Sequence, residues 1–546
     1  MKISFGFFAI ILTFASLQVV AQDNNYDALA KMFSTTAPTG TARFQAIGGN
    51  HTALGADVSS ASGNPAGLGF YTRSEFSFTP TFQSINNSSL YGRDGSPTVK
   101  SDVNNFNIGN IGVVFGGGEP SYREGWRGAF GISYSRQNSF FNNVKFSGTG
   151  SGYGGSITDS YAESVNSQIN AGDITPASLD ATINNGPNNF TGSAGMYYYG
   201  YVINPTGIKN PAYEGVEGNS KANQIFDFQS TGRSSQWSIS YGGTANEKLY
   251  FGGTIGIPSY RYESVWKFNE TYNKPVEING LTETRFVTSS GSGLNLTIGT
   301  IYKPNDMIRF GFSVATPTWY DIDETSSKSL DVDIDPAKGV DIGNGANANM
   351  LIAKGYQVMR RNNISYITRI PKLSTITYED SYKLTTPWKL SGGAAIFFKK
   401  KGFISADVEY VAYNGIKLSN PSEDLSYDDS FLNAVSNVKV FYKNTINIKV
   451  GGEYRMGNVS LRGGVNYQQN PYSTAFDKSN TINRSQMIYS TGVGYRTSQF
   501  YVDVTSMYGT TQQSYTPYRL TDSKAYASTK IDNNYTRGLI TFGVFF

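Results

Sequence analysis

The chain has 546 residues, a formal charge of +4, 39% apolar residues, no cysteine and one histidine. The missing cysteines exclude disulfide scaffolding, thiol catalysis and a lipidated N-terminal cysteine, and the small net charge with scattered Lys and Arg gives nucleic-acid binding no basis. Beyond the N-terminus no stretch supplies the roughly 20 consecutive apolar residues of a helical membrane span. The 60 Gly, 38 Tyr and 34 Phe suit another solution: strands whose lipid-facing and lumen-facing residues alternate, so that their hydrophobicity escapes a running average.

Residues 1–21 read as a secretory signal: Lys2, an apolar run over 5–17, then Val19, Val20 and Ala21 before Gln22. The next stretch, 22–73, carries small residues around Ala42 to Gly49 and Ala53 to Ser62, then Asn64, Pro65, Ala66, Gly67, Leu68, Gly69 and Phe70. Gly and Ala permit close backbone approach and Asn-Pro fixes a turn. This composition predicts a compact hatch, or plug, folded inside a barrel that begins near residue 74.

Alternating aromatic segments predict strands over 74–83, 105–115, 127–140, 232–242, 248–268, 282–302, 308–319, 383–398, 402–416, 440–455, 458–467, 486–496, 499–508 and 535–546. Short links at 244–247, 303–305, 399–401, 456–457 and 497–498, with a longer turn at 116–126, all fall on one side. Long polar loops, the largest near 141–231 and 320–382, fall on the other. Bacterial outer-membrane barrels have this asymmetry, and an even strand number leaves both chain ends in the periplasm. The expected fold is all-β: a fourteen-stranded antiparallel transmembrane β-barrel over 74–546, with the hatch in its lumen and long extracellular loops.

Alternation also assigns faces. Ile540, Phe542, Val544 and Phe546, like Ile404, Ala406, Val408 and Tyr410, should meet lipid. The opposite faces carry Asp407, Glu409, Lys449, Glu453, Arg455 and Arg462 on three consecutive strands, with Arg309 and Lys389 near them in barrel order. Charge within a membrane strand is tolerable only toward the lumen. These eight residues either pair with one another and with whatever fills the barrel, or form a polar lining that guides a solute or moves a plug; alternation does not choose between the two. The chain's end, alternating up to Phe546, resembles the C-terminal signal that the barrel-assembly machinery recognises.

The Ala-Leu-Gly-Ala-Asp run at 53–57 followed by Asn64, Pro65, Ala66 and Gly67 resembles the hatch signature of the FadL/TodX family of outer-membrane long-chain fatty acid and hydrocarbon transporters. The stretches 249–258, 301–305, 310–318 and 386–393 resemble that family's strands in the same order. The resemblance implies uptake of a hydrophobic small molecule through a hatch-gated barrel, released when the hatch changes conformation, either to the periplasm or, as in some members, sideways into the membrane through a kink in the third strand. Gly128 and Gly131 are the residues at which such a kink would be sought. The long 141–231 and 320–382 insertions depart from the family, and 176–183 within the first is compatible with a short helix.

No catalytic constellation is legible. His51 stands alone and cannot build a conventional metal cluster. The acidic run Asp331, Asp333, Asp335 lacks EF-hand spacing, so no cofactor or metal is expected. The expected partners are outer-membrane lipid, a hydrophobic substrate and the assembly machinery. The alternatives are a diffusion pore and a structural or accessory barrel that docks other outer-membrane proteins through its long outer loops.

Overall fold

A computed structural model of the chain describes residues 26–35, 37–92, 96–116, 126–149, 155–207, 212–216, 222–272, 277–345, 347–420, 429–476 and 482–546. The expected signal at 1–21 and most of the expected turn at 116–126 lie outside the described residues.

Fourteen antiparallel strands close into a barrel. They are β1 (Glu75–Tyr91), β2 (Thr98–Gly116), β3 (Trp126–Ser139, resumed as Asn142–Thr149), β4 (Ala222–Ala245), β5 (Leu249–Tyr272), β6 (Ile278–Tyr302) and β7 (Ile308–Ala315, resumed as Trp319–Ile334). The circuit continues through β8 (Tyr378–Thr385, resumed as Lys389–Phe397), β9 (Gly402–Val411), β10 (Thr445–Met456), β11 (Val459–Gln468), β12 (Gln486–Arg496), β13 (Phe500–Tyr515) and β14 (Thr529–Phe545). The last strand pairs with the first from Glu75↔Phe545 to Tyr91↔Thr529, which closes the ring.

The short links turn tightly. Asn246 and Glu247 take positive φ between β4 and β5, and Gly457, at φ 59°, reverses the chain between β10 and β11, the conformation that two-residue hairpins require. Outward faces carry an apolar belt that includes Phe82, Phe106, Trp237, Phe310, Trp319, Trp388, Tyr489 and Phe500. Ile540, Phe542, Val544 and Phe546 lie in it, as do Ile404, Ala406, Val408 and Tyr410, on the face that alternation assigns them.

Four local readings need correction. The tenth strand starts at Thr445, because Phe431, Ala434 and Val438 recur at helical spacing on a helix, Asp429–Phe441, that occupies the start of the expected segment. The ninth strand ends at Val411, where the chain bends through a 3-10 turn at Tyr413–Gly415. The seventh and eighth strands are interrupted at Pro317 and Pro387, neither of which can donate to a ladder; Thr386 Oγ1 accepts from Thr318 N at 2.8 Å instead. Finally, the wall rises further outward than the expected loop limits, since Asn142–Thr149 pairs with β4 and β7 runs on to Ile334.

Above the belt the outer segments fold into a roof. Its helices are Ile157–Ala171, Pro176–Ala181 (where a short helix is expected) and Ser193–Tyr199. They pack on Phe146, Phe190, Phe226, Phe268, Leu330 and Ile367. Ser156 caps the first helix, and the buried Glu270 of β5 accepts from Ser156 Oγ at 2.9 Å and Ile157 N at 3.0 Å, satisfying a donor that the first helical turn leaves unpaired. Tyr161 and Tyr197 stack at 3.8 Å, and both hydroxyls donate to Glu283 of β6.

Candidate functional site: the filled lumen

The residues before β1 form α1 (Tyr26–Ser34), α2 (Ala42–Ala46) and two 3-10 turns, Val58–Ala61 and Pro65–Phe70. Their small side chains let this segment touch nearly every wall strand. Ala42 N donates to Thr541 Oγ1 of β14 at 2.8 Å, and Ala42 O accepts from Thr505 Oγ1 of β13 at 2.7 Å. Ala46 O accepts from Ser490 Oγ of β12, and Gly48 O from Asn466 Nδ2 of β11. Ala61 O accepts from Ser240 of β4 and Thr254 of β5, and Tyr71 O from Arg127 of β3. The segment thus bonds to strands all around the ring.

Asn64 and Pro65 start the second 3-10 turn. Asn64 Oδ1 caps it by accepting from Ala66 N at 3.1 Å, while Nδ2 donates to Thr52 O at 2.6 Å and to Thr300 O of β6 at 3.2 Å. One amide thus ties two parts of the segment to the wall, which only a side chain with both donor and acceptor can do. Pro65, Ala66 and Gly67 are buried beside it.

The charged residues expected to face inward divide into two clusters and one outlier. In the first, Asp407 Oδ2 accepts from His51 N and Thr52 N, both at 2.9 Å. Lys449 stands opposite Asp407 in register, but its amine reaches Glu409 at 3.2 Å; Lys389 lies within electrostatic reach of the same Glu409. In the second, Glu453 meets Arg455 and Arg462 at 2.6 Å each and Arg43 of the segment at 3.4 Å. Arg462 continues to Asp503 at 2.5 Å, a member that the alternating pattern did not single out. Arg455, at the end of its strand, keeps 40% of its side chain exposed. Arg309 belongs to neither cluster: its guanidinium lies 4.2 Å from the rings of both Phe70 and Phe397, a stacked geometry suited to arginine.

Close approach of segment to wall depends on inward glycines, a feature missed in sequence. A Cβ on Gly299 would collide with Asn64 Oδ1, and one on Gly311 with Thr52 O. Gly451 and Gly464 oppose each other across β10 and β11, and a Cβ on either would strike Ile47. Alternation within each strand, applied to glycines as it was to charges, would have found them.

Between the segment and the roof, α1 fills an apolar chamber. Tyr26, Ala30 and Phe33 share one helix face; Phe33 stacks on Tyr260 at 3.9 Å and meets Phe140 edge-on at 5.6 Å, while Tyr26 meets Tyr382 edge-on at 5.3 Å. Asp27 is buried with them, and burial pushes its carboxyl up to about 6. Tyr442 OH donates to the Asp27 carbonyl at 3.1 Å.

Among the described residues, the wall breaks beside this chamber. β2 and β3 pair only from Asn110↔Ser135 to Gly116↔Ala129. Beyond a bulge at Arg136 to Asn138 they separate, then approach again where Ser101 Oγ donates to Asn143 O at 2.7 Å. The expected kink residues are elsewhere in a regular ladder, Gly128 opposite Gly243 and Gly131 opposite Ser240. Behind the break, Ala37 N donates to Gln137 O at 3.0 Å, Asn138 Nδ2 to Thr35 O at 3.4 Å, and Arg537 Nη1 to Pro38 O at 3.2 Å. The N-terminal segment thus stoppers the gap.

Among the described residues no group of acidic or histidine side chains could hold a metal ion, and no helix is long and apolar enough to cross a membrane.

No protein-family model matches the chain, and no curated protein matches its sequence. Solved structures do. The crystal structure of a Pseudomonas aeruginosa FadL homologue superposes with a TM-score of 0.52 at 12% identity, covering 94% of this chain and 99% of that one. The Pseudomonas putida toluene transporter TodX gives 0.51 at 11% identity, covering 93% and 99%. Over nearly the full length of each chain, therefore, this protein has the FadL/TodX-type barrel fold.

Proposed function

We propose that the chain is an outer-membrane channel for uptake of hydrophobic small molecules, of the long-chain fatty acid or hydrocarbon class, with the segment before Glu75 as its hatch. The observation that carries this reading is the stoppered break between β2 and β3, which lies beside an apolar chamber. A substrate entering the chamber as α1 withdraws would leave sideways once Thr35, Ala37 and Pro38 step back. Lateral release avoids passing an alkyl chain through water, which costs about 0.8 kcal/mol per CH₂. The apolar belt and the aromatic residues along it support placement in the outer membrane. The terminal Phe546, exchanging hydrogen bonds with Ser74 at 3.1 Å, would be what the barrel-assembly machinery reads.

The test uses the absence of native cysteine. A Thr35→Cys/Asn138→Cys pair, oxidised, should block uptake of radiolabelled hexadecanoate or toluene into cells, and reduction should restore it. Uptake that ignores the crosslink sinks the lateral route.

A second reading rests on the roof. Its packed core over the mouth supports a structural or accessory subunit that docks other outer-membrane proteins. Gentle extraction returning a stoichiometric complex, with no uptake in its absence or presence, would favour that reading.

A further inference from the structure

The roof meets the outer surface of the wall as well as the mouth. On β6, Glu283 points inward to Tyr161 and Tyr197, so Thr284 and Phe286 point outward. Their partners on β7 are Ser329 and Ser327, and Ser374, paired with Ser329, continues the row. The roof segment before Phe190 runs beside it: Ser374 N donates to Pro187 O at 2.8 Å, Phe190 N to Ser374 O at 3.2 Å, and Ser374 Oγ to Asn188 O at 3.3 Å. Phe286 and these serines, with Asn188, Asn189 and Lys372, line a crevice of about 460 Å³, the size of a small-ligand site.

The crevice suits a ligand rich in hydroxyl groups. Serine hydroxyls and asparagine amides each donate and accept, which matches a partner whose groups do both. Ser329 is 6% exposed, and its Oγ has no hydrogen-bond partner within the protein, a cost that a ligand hydroxyl would remove. Phe286, 44% exposed, offers a flat apolar plate beside the polar row, as the C–H face of a sugar ring requires. Other ligand classes fit poorly. Lys328 sends its amine inward to Ser193 Oγ at 3.2 Å, so a phosphate would meet Lys372 alone among the lining cations, and an alkyl chain would find only Phe286 and Ile376 to bury it.

Position identifies the source of the sugar. Leu294 of β6 and Trp319 of β7 oppose each other within the apolar belt. Above them the outward positions turn polar, through Ser292, Ser290 and Thr288 on β6 and Asp321, Asp323 and Thr325 on β7. From Leu294 to Phe286 a tilted strand climbs about 20 Å, past the hydrocarbon and into the layer where the sugars of outer-leaflet glycolipids surround a barrel. A crevice on the outer surface at that height meets a membrane-tethered glycan at high effective concentration, so an open site is enough to hold it.

We propose that this crevice binds a sugar unit in the oligosaccharide of the outer-leaflet glycolipid around the barrel, and so ties the roof to the membrane surface. The proposal rests on outer-membrane placement and is independent of the uptake route.

The experiment mixes purified full-length protein in neutral detergent with lipopolysaccharide carrying a complete core oligosaccharide of heptose and hexose units, with lipid A, or with the core oligosaccharide freed of lipid A. Native mass spectrometry counts the molecules bound. The core-bearing glycolipid should bind about tenfold more tightly than lipid A, and the free oligosaccharide should compete with it at higher concentration. Phe286→Ala and Ser329→Leu should each reduce core-bearing glycolipid to the level of lipid A, whereas Thr288→Ala, on the same outward face but outside the crevice, should change nothing. Heat-dependent gel mobility verifies that each variant keeps its barrel. Equal binding of core-bearing glycolipid and lipid A, or an unchanged preference in Phe286→Ala, overturns the glycan site. Free oligosaccharide binding as tightly as the intact glycolipid overturns its assignment to a membrane-tethered glycan. Either failure leaves the uptake reading standing, since that reading is tested by the crosslink between positions 35 and 138.

Discussion

Arg43 Nε, on the N-terminal segment, and Glu453 Oε2, on the wall, face each other at 3.4 Å with both side chains buried. The pair joins the lumen filling to a wall cluster in which Glu453 already meets Arg455 and Arg462, so its two members are unequal. Glu453→Gln takes the shared carboxylate from three arginines, leaving Arg462 with Asp503 and Arg43 with Asp57 at 3.8 Å, and should destabilise the folded protein by about 3 kcal/mol. Arg43→Met leaves Glu453 its two wall partners and should cost markedly less, loosening chiefly the segment. Urea unfolding in lipid vesicles measures the first effect, and proteolysis within 40–70 the second. Equal losses in both assays would contradict the inequality.

Asn64 makes a second point of attachment. Asn64→Asp keeps the cap on Ala66 N but points a carboxylate at the carbonyls of Thr52 and Thr300, to which the amide now donates. Asn64→Ala loses the cap as well, worth about 1 kcal/mol, and orphans both carbonyls. Each should raise ion conductance through the reconstituted protein, with Asp the more disruptive at neutral pH. A conductance unchanged in both would show that this amide does not hold the segment in place.

Wall glycines offer a matched comparison. Gly311→Ala drives a methyl group into Thr52 O, whereas a Cβ on Gly392, opposite Phe312 on the neighbouring strand, meets nothing. Gly311→Ala should keep a closed barrel by heat-dependent gel mobility yet expose the segment to hydrogen exchange; Gly392→Ala should do neither. The same exchange pattern in the two variants would refute the close-approach account.

Docking of α1 should depend on pH. Asp27 is raised by burial from 3.8 to about 6, so the docked helix binds a proton more readily than the undocked one. Docking is then strongest below about pH 4, weakens as the pH rises toward 6, and is level above that. The change is on the order of 2–3 kcal/mol. Protection against hydrogen exchange across Tyr26–Ser34, referred to the intrinsic rate at each pH, should be greater at pH 4.5 than at pH 7, and Asp27→Asn should dock tightly at both. A slope that survives Asp27→Asn must come from another group.

Alternation made much of this molecule legible, because a wall between apolar surroundings and a polar interior imposes a period of two on every strand. Asp407, Glu409, Lys449, Glu453 and Arg462 point inward for that reason. Which of them act together was not legible, since Lys449 opposes Asp407 in register yet reaches Glu409, a choice made by backbone amides of the segment that occupy Asp407. The break in β3 was hidden for a related reason. Gly128 and Gly131 are conspicuous in sequence, but both sit in a regular ladder, Gly128 leaving room for Tyr241, while the actual irregularity falls at Arg136 to Asn138, residues of ordinary strand character. Local composition reports what a residue permits, and partners from distant parts of the chain decide how it is used.

Ala42 and Pro38, near the start of the chain, bond to Thr541 and Arg537 on its final strand, and that strand also zips onto β1. The seam of the cylinder is therefore made of the same residues that grip its contents. Loosening the leading residues would therefore take partners from the strand that completes the ring, so that the filling and the closure of the cylinder share one set of contacts.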